Sequence, residues 1–246
     1  MIREKITVLC KSLLWGFCVL LFPILSGTLA AVFALEAPET LFLQGMFMLL
    51  SLAIPLCFIW AKRWNWSEIG FDKIDAAGCK RTLYFLPLLT IFIPAAVRGF
   101  QIQSVALCLG NLFLYLMVGI SEEVYFRGII PRYLSKAFSP ERMILISTLI
   151  FGIGHVASAF TASTGLEVGL SVLNAVIFGW LAIEMAVLAN NIIPGILLHF
   201  LFDFETKVVV LQGNELLIAE CVRGTVMVAC AVWLAIVIRK NRTSIP

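Results

Sequence analysis

The sequence predicts an all-α fold, a polytopic bundle of about eight transmembrane helices with both termini in the cytoplasm. Three observations carry this expectation. Of 246 residues, 61% are hydrophobic and only 13% are charged, about half the charge of an ordinary soluble domain. The apolar residues gather into runs of about 20, the length that crosses a bilayer. The basic residues fall mostly between these runs. A single soluble core could not hide so much apolar surface, so lipid is the solvent this composition suits.

The runs are 13–35, 41–61, 83–99, 104–128, 142–161, 168–188, 192–210 and 216–238. The first is longer than the apolar part of a signal sequence, and more runs follow it, so it reads as a retained helix. Trp60, Trp64 and Trp66 bracket the end of the second run as an aromatic belt, and the mixed stretch 64–77 suits the interface. The third run is short, and the seventh is unusually polar. The chain then reads as one integral membrane domain with three parts. These are N-terminal helices over 1–103, a helical core over 104–210, and a last helix with a basic tail over 211–246.

The loops set the orientation. With the N-terminus inside, Arg3, Lys5, Lys11, Lys62, Arg63, Lys73, Lys80 and Arg81 face the cytoplasm. So do Arg132, Lys136, Arg142, Arg239, Lys240 and Arg242. Only Arg98, Lys207 and Arg223 fall in outer segments or outer span ends. This is the bias of a membrane protein, and an odd number of spans would put the C-terminal cluster on the wrong side.

The net charge of +3 is too weak for nucleic acid, and no basic residues interleave with aromatic ones for stacking. The seven cysteines (10, 18, 57, 79, 108, 221 and 230) form no CxxC pair and lie mostly in apolar runs. They read as small buried hydrophobes, with no disulfide framework and no zinc cluster.

Ionisable residues inside spans are costly and are functional candidates by default. Here they form three groups. Glu122 and Glu123 are adjacent, so on a helix they point about 100° apart. Glu123 and Arg127 are four apart, acid first, the favoured order for an ion pair. That pairing leaves Glu122 free to act as a base on water; taken alone, it is equally a structural pair at a helix end. His155 follows Phe151-Gly152-Ile153-Gly154 in the middle of the fifth run, where it is either a satisfied structural group or a functional one. His199 and Asp203 share a helix face in the seventh run. They either orient one another or stabilise packing. Counted from the inner ends, Glu122, His155 and His199 lie at similar depth, about 10–20 Å, which permits one shared site. Glu184 and Asn174 read as supporting polar groups, and Glu205 and Lys207 as an outer pair.

These groups resemble the signature of the CAAX-protease and bacteriocin-processing family of intramembrane proteases. That signature has Glu-Glu followed after three residues by Arg, then Phe, three residues and His, then His, three residues and Asn or Asp. Here it stands as Glu122-Glu123…Arg127, Phe151…His155 and His199…Asp203. Phe178-Gly179, Asn190-Asn191 and Ile193-Pro194-Gly195 are similar too, as is Glu68-Ile69-Gly70-Phe71 more weakly. The resemblance is good over roughly 104–205 and loose before it.

The resemblance implies an intramembrane endopeptidase without a covalent intermediate. Glu122 would deprotonate the attacking water, which His155 would help to hold. His199 and Asp203 would stabilise the oxyanion, and Arg127 would fix Glu123. An ionised Asp203 would oppose an oxyanion, so its role there is neutral or indirect. No cofactor is expected. A zinc ion held by two histidines and a carboxylate is the rival mechanism, although no HExxH helix is present. A non-enzymatic membrane regulator or chaperone and a proton-coupled carrier are the other readings, and no inverted repeat supports the carrier. The expected partners are a membrane-bound protein or peptide substrate and the lipid bilayer, with no nucleic acid. The expected location is the bacterial inner membrane, with the site in the cytoplasmic half.

Overall fold

In lipid, a helix is the one open chain segment that satisfies its own backbone hydrogen bonds, and this apolar chain is built accordingly. The computed structural model describes residues 2–73, 76–160, 164–211 and 213–240. Among them the chain is helical nearly throughout, with no β-strand. Arg242 and position 161, at the end of the fifth run, lie outside the described residues.

Among the described residues, six helices are long and apolar enough to cross a membrane. The first is α1 (Ile2–Val32), which starts well before its apolar run and carries Arg3, Lys5 and Lys11 on its first turns. α2 (Ala37–Ser51) and α3 (Ala53–Lys62) make the second crossing. The break between them follows from Pro55, which has no N–H for the Ser51 carbonyl. The Tyr125 hydroxyl donates to that carbonyl instead, at 2.8 Å.

The third crossing joins α4 (Ala76–Thr82), a ten-residue 3₁₀ stretch Leu83–Phe92, and α5 (Ile93–Arg98). A 3₁₀ helix rises about 2.0 Å per residue against about 1.5 Å for an α-helix. The short third run therefore reaches further than its residue count suggests. The fourth crossing joins α6 (Val105–Glu123), a π-helical stretch Val124–Ile129, and α7 (Ile130–Leu134). Pro131 explains the π stretch. The Ile130 N–H bonds Tyr125 O, five residues back. The next such donor would be Pro131, which has none. Phe126 O is met by the Ser147 hydroxyl of the neighbouring helix, at 2.9 Å.

That neighbour is α8 (Pro140–Gly154), and with α10 (Ile193–Val208) it departs from expectation. The two have 15 and 16 residues. At ~1.5 Å per residue they are shorter than the ~30 Å hydrocarbon core. They correspond to the fifth and seventh runs, and neither is a full-length crossing helix. His155 is accordingly not mid-helix. It caps α8 and opens a 3₁₀ turn, His155–Phe160. The two glycines before it weaken the helix at its end. α9 (Gly165–Ala189) and α11 (Asn214–Lys240) complete the chain.

Glycines set the close contacts around the centre. A Cβ at Gly119 on α6 would lie 3.1 Å from Ile196 O and 3.2 Å from Phe200 N on α10. A Cβ at Gly152 on α8 would lie 2.2 Å from Val176 Cγ2 on α9. Gly152→Ala is therefore expected to destabilise the bundle by about 1–3 kcal/mol. Thermal unfolding in detergent checks this, and Val176→Ala in the same chain should return part of the loss.

The cysteines correct their expectation. Cys230 is buried, but Cys10, Cys57, Cys79 and Cys221 are exposed and Cys18 and Cys108 intermediate. Apolar positions of a membrane bundle face lipid as readily as core. Trp60, 84% exposed, and Trp66, 54%, stand outward as a belt should, whereas Trp64 stacks under Arg132 at 4.1 Å.

Candidate active site

The acid pair leaves α6 at its junction with the π stretch. Glu123 is fully buried, and its Oε1 lies 2.8 Å from Arg127 Nη1. This is the pair that the spacing predicts. Glu122, one residue earlier, faces another direction and keeps 16% of its side chain exposed.

α10 brings His199 against both acids. Its Nδ1–H donates to Glu123 Oε1 at 2.9 Å. Its Nε2 stands 3.9 Å from Glu122 Oε2 and 3.6 Å from Asp203 Oδ2. The ring thus sits among three carboxylates, fixed at one nitrogen and open at the other. Glu122 Oε2 is buried and has no hydrogen-bond partner among the described residues. The helices approach closely here because Gly195 has no side chain. A Cβ there would lie 2.9 Å from Glu123 Oε2.

Aromatic rings frame this group. Arg127 lies over the Phe151 ring, 4.2 Å from its centroid, an arrangement that a desolvated cation favours. The same ring is 6.1 Å from His199 and 4.8 Å from His155. Phe178 lies 4.7 Å from His199 on another side. His155 is half-buried and joins the group through Phe151 rather than directly. Its Nδ1 is 3.1 Å from Phe151 O. With the proton on Nδ1, that hydrogen bond leaves Nε2 free to accept. Glu122, Glu123, Arg127, His199 and Asp203 are thus in one cluster, and His155 is at its edge.

The weaker motifs also find a place. The loop after α3 packs on the π stretch, where Gly128 leaves room for Ile69 O, 3.0 Å from a built Cβ. Glu68 pairs with Arg132 at 2.9 Å. Gly70, at φ +84°, accepts at its carbonyl oxygen from the Ile192 N–H at 2.8 Å. Asn190 takes a left-handed φ of 51° at the end of α9, and its amide donates to Asp72 Oδ2 at 2.9 Å. The Asn191 side chain donates to Asp72 O at 2.6 Å and accepts from Ile193 N at 2.8 Å, capping α10. Asn191→Ala is expected to cost about 1–2 kcal/mol through the lost cap. It should also lower cleavage by loosening the start of the helix that carries His199. Unfolding and turnover measured on one preparation check both.

Two polar assignments change. Glu205 pairs with Arg223 of α11, not with Lys207. Arg223 is no outer surface charge: it is 3% exposed and reaches Ile91 O at 3.3 Å and Glu220 at 2.9 Å. The spacing of Glu205 and Arg223 in sequence gives no periodic signal. Glu184 accepts from Trp180 Nε1 at 2.8 Å. Phe178 was legible only as part of a motif, without a role.

No three His, Cys, Asp or Glu side chains among the described residues are arranged to hold a metal. The Glu123 oxygen that meets His199 is already engaged by Arg127.

Residues 104–204 match the family model described as Rce1-like, type II CAAX prenyl endopeptidase. The match covers the stretch that holds all three motifs, and it is the family they resemble. No curated protein and no solved structure matches the chain.

Proposed function

With residues 104–204 matching a family of membrane proteases as the premise, we propose that this chain is an intramembrane endopeptidase. It hydrolyses a peptide bond of a membrane-associated or lipid-tethered protein or peptide, using water activated by Glu122. The observation that carries this is the 3.9 Å separation of Glu122 Oε2 from His199 Nε2, at a buried and unpartnered oxygen. That spacing is too long for a direct hydrogen bond and suits a bridging water.

Each residue then has a part. Glu122 takes the proton of the attacking water. His155, held by its bond to Phe151 O, accepts from the same water through Nε2. His199, when it carries a proton on Nε2, donates to the oxyanion that forms at the scissile carbonyl. Asp203 steadies that nitrogen from the next turn. Arg127 and Glu123 hold His199 through Nδ1, which fixes the ring. The tetrahedral intermediate collapses when the leaving amine takes the proton that Glu122 received.

We place both termini on the cytoplasmic side, with α8 and α10 as two shorter crossings that bring the count to eight. The site then lies in the cytoplasmic half of a bacterial inner membrane. The test is cleavage of a membrane-tethered reporter library by the purified chain in vesicles, with and without a strong chelator. Cleavage that persists in chelator is the expected result. Cleavage lost in chelator and restored by zinc would overturn the water-only mechanism in favour of a zinc protease. No cleavage of any reporter would favour the non-enzymatic regulator.

A further inference from the structure

Between α8, α9 and α11 lies a groove of about 630 Å³, apart from the acid–histidine cluster. Its size is ordinary for a small-molecule site. The walls are mainly apolar, from Met143, Ile144 and Leu149 on α8, Val176 and Val187 on α9, and Ile238 on α11. Leu145 and Leu149 are 57% and 43% exposed on its rim, on helices packed as a membrane bundle. The groove therefore opens where the bundle meets lipid. Along α9 it runs from Val176 to Asn190, about 20 Å at ~1.5 Å per residue.

Three charged residues line this apolar space, Glu141 on the first turn of α8 among them. Glu184 comes from α9, and Arg239 from the last turn of α11. Glu184 is 2% exposed. One of its oxygens accepts from Trp180, and the other has no hydrogen-bond partner among the described residues. A buried carboxylate oxygen left unpaired is costly. Arg239 stands within electrostatic range of it.

We propose that this groove binds an aminophospholipid of the bilayer. Its primary ammonium meets Glu184, its phosphate meets Arg239, and an acyl chain lies along the α8–α9 wall. The alternatives each leave something unmet. A plain hydrocarbon leaves the Glu184 oxygen unpaired. A choline headgroup has no N–H to donate. An anionic lipid without an amine brings like charge toward Glu184. An aminophospholipid supplies a donor, an anion and an apolar chain together, and arginine is well suited to its phosphate. Thr148 lines the groove one turn before Phe151, which carries Arg127 and both histidine rings. A bound lipid would brace α8 beside the site. The inference does not depend on the peptidase reading, because its test involves no turnover.

The experiment is native mass spectrometry of the full chain, released from vesicles of equal parts phosphatidylethanolamine, phosphatidylcholine and phosphatidylglycerol with matched acyl chains. The ethanolamine lipid should be retained about tenfold over the other two, the size of one charge-assisted hydrogen bond. Glu184→Gln, which keeps an acceptor for Trp180, should remove that preference. Arg239→Gln should lower retention of all three lipids. Leu149→Trp, on the lipid-facing rim, should fill the groove and lower retention of all three while leaving Glu184 in place. This keeps the test open should Glu184→Gln fail to fold. Equal retention of the three lipids by the wild type would overturn the proposal in favour of an unselective acyl groove. Preference for phosphatidylglycerol, an unchanged preference in Glu184→Gln, or unchanged retention in Leu149→Trp would overturn it as well.

Discussion

Glu122→Gln is expected to cut peptide cleavage by about 10²–10⁴-fold, the usual worth of a general base, while leaving the fold intact. The substitution is nearly isosteric and removes the proton acceptor alone. Glu122 keeps partial exposure and sits outside the buried ion pair, so its charge supports little of the structure. The loss should appear in kcat with KM almost unchanged, because the water is activated on the way to the transition state. Thermal unfolding of the variant should match the wild type. A variant that cleaves as fast as the wild type would remove Glu122 from the role of base.

Arg127→Met is expected to produce the largest loss of stability, about 3–5 kcal/mol. The side chain is 1% exposed, its partner Glu123 is fully buried, and Phe151 and Phe178 cover the guanidinium. Removing the cation leaves Glu123 in the core with His199 as its remaining partner. Methionine restores most of the volume, so the cost measures the stranded carboxylate rather than a cavity. Glu123→Gln in the same chain should recover part of the loss, since the buried charge then disappears as well. Chemical or thermal unfolding in one detergent compares the three. No recovery in the double variant would mean that packing, not charge, sets the cost.

Much of this arrangement was legible in the sequence, and the reasons differ by residue. The Glu123–Arg127 pair follows from four-residue spacing on one helix, a local rule. The contact of His199 with both acids is not local, and only motif resemblance pointed to it. The π stretch escaped periodicity because it depends on Pro131 together with Ser147, a residue of another helix. The apolar run around His155 extends past the point where α8 stops, because hydropathy does not register what two glycines do to a helix end. The Glu205–Arg223 pair joins helices that composition alone treats as separate spans. The hook between Asp72 and Asn191 depends on a loop contact across the bundle. It holds the end of the weak motif at 68–71 against the pair at 190–191.

The central claim is that Glu122 and His199 act on one water and one carbonyl in a single site. A double-mutant cycle on cleavage of a membrane-tethered reporter tests it most directly, using Glu122→Gln, His199→Gln and both together. Residues that act as a unit are strongly non-additive. The double variant should therefore be no slower than the worse single variant by more than about threefold. Losses that multiply across the two substitutions would show independent contributions and contradict a shared site.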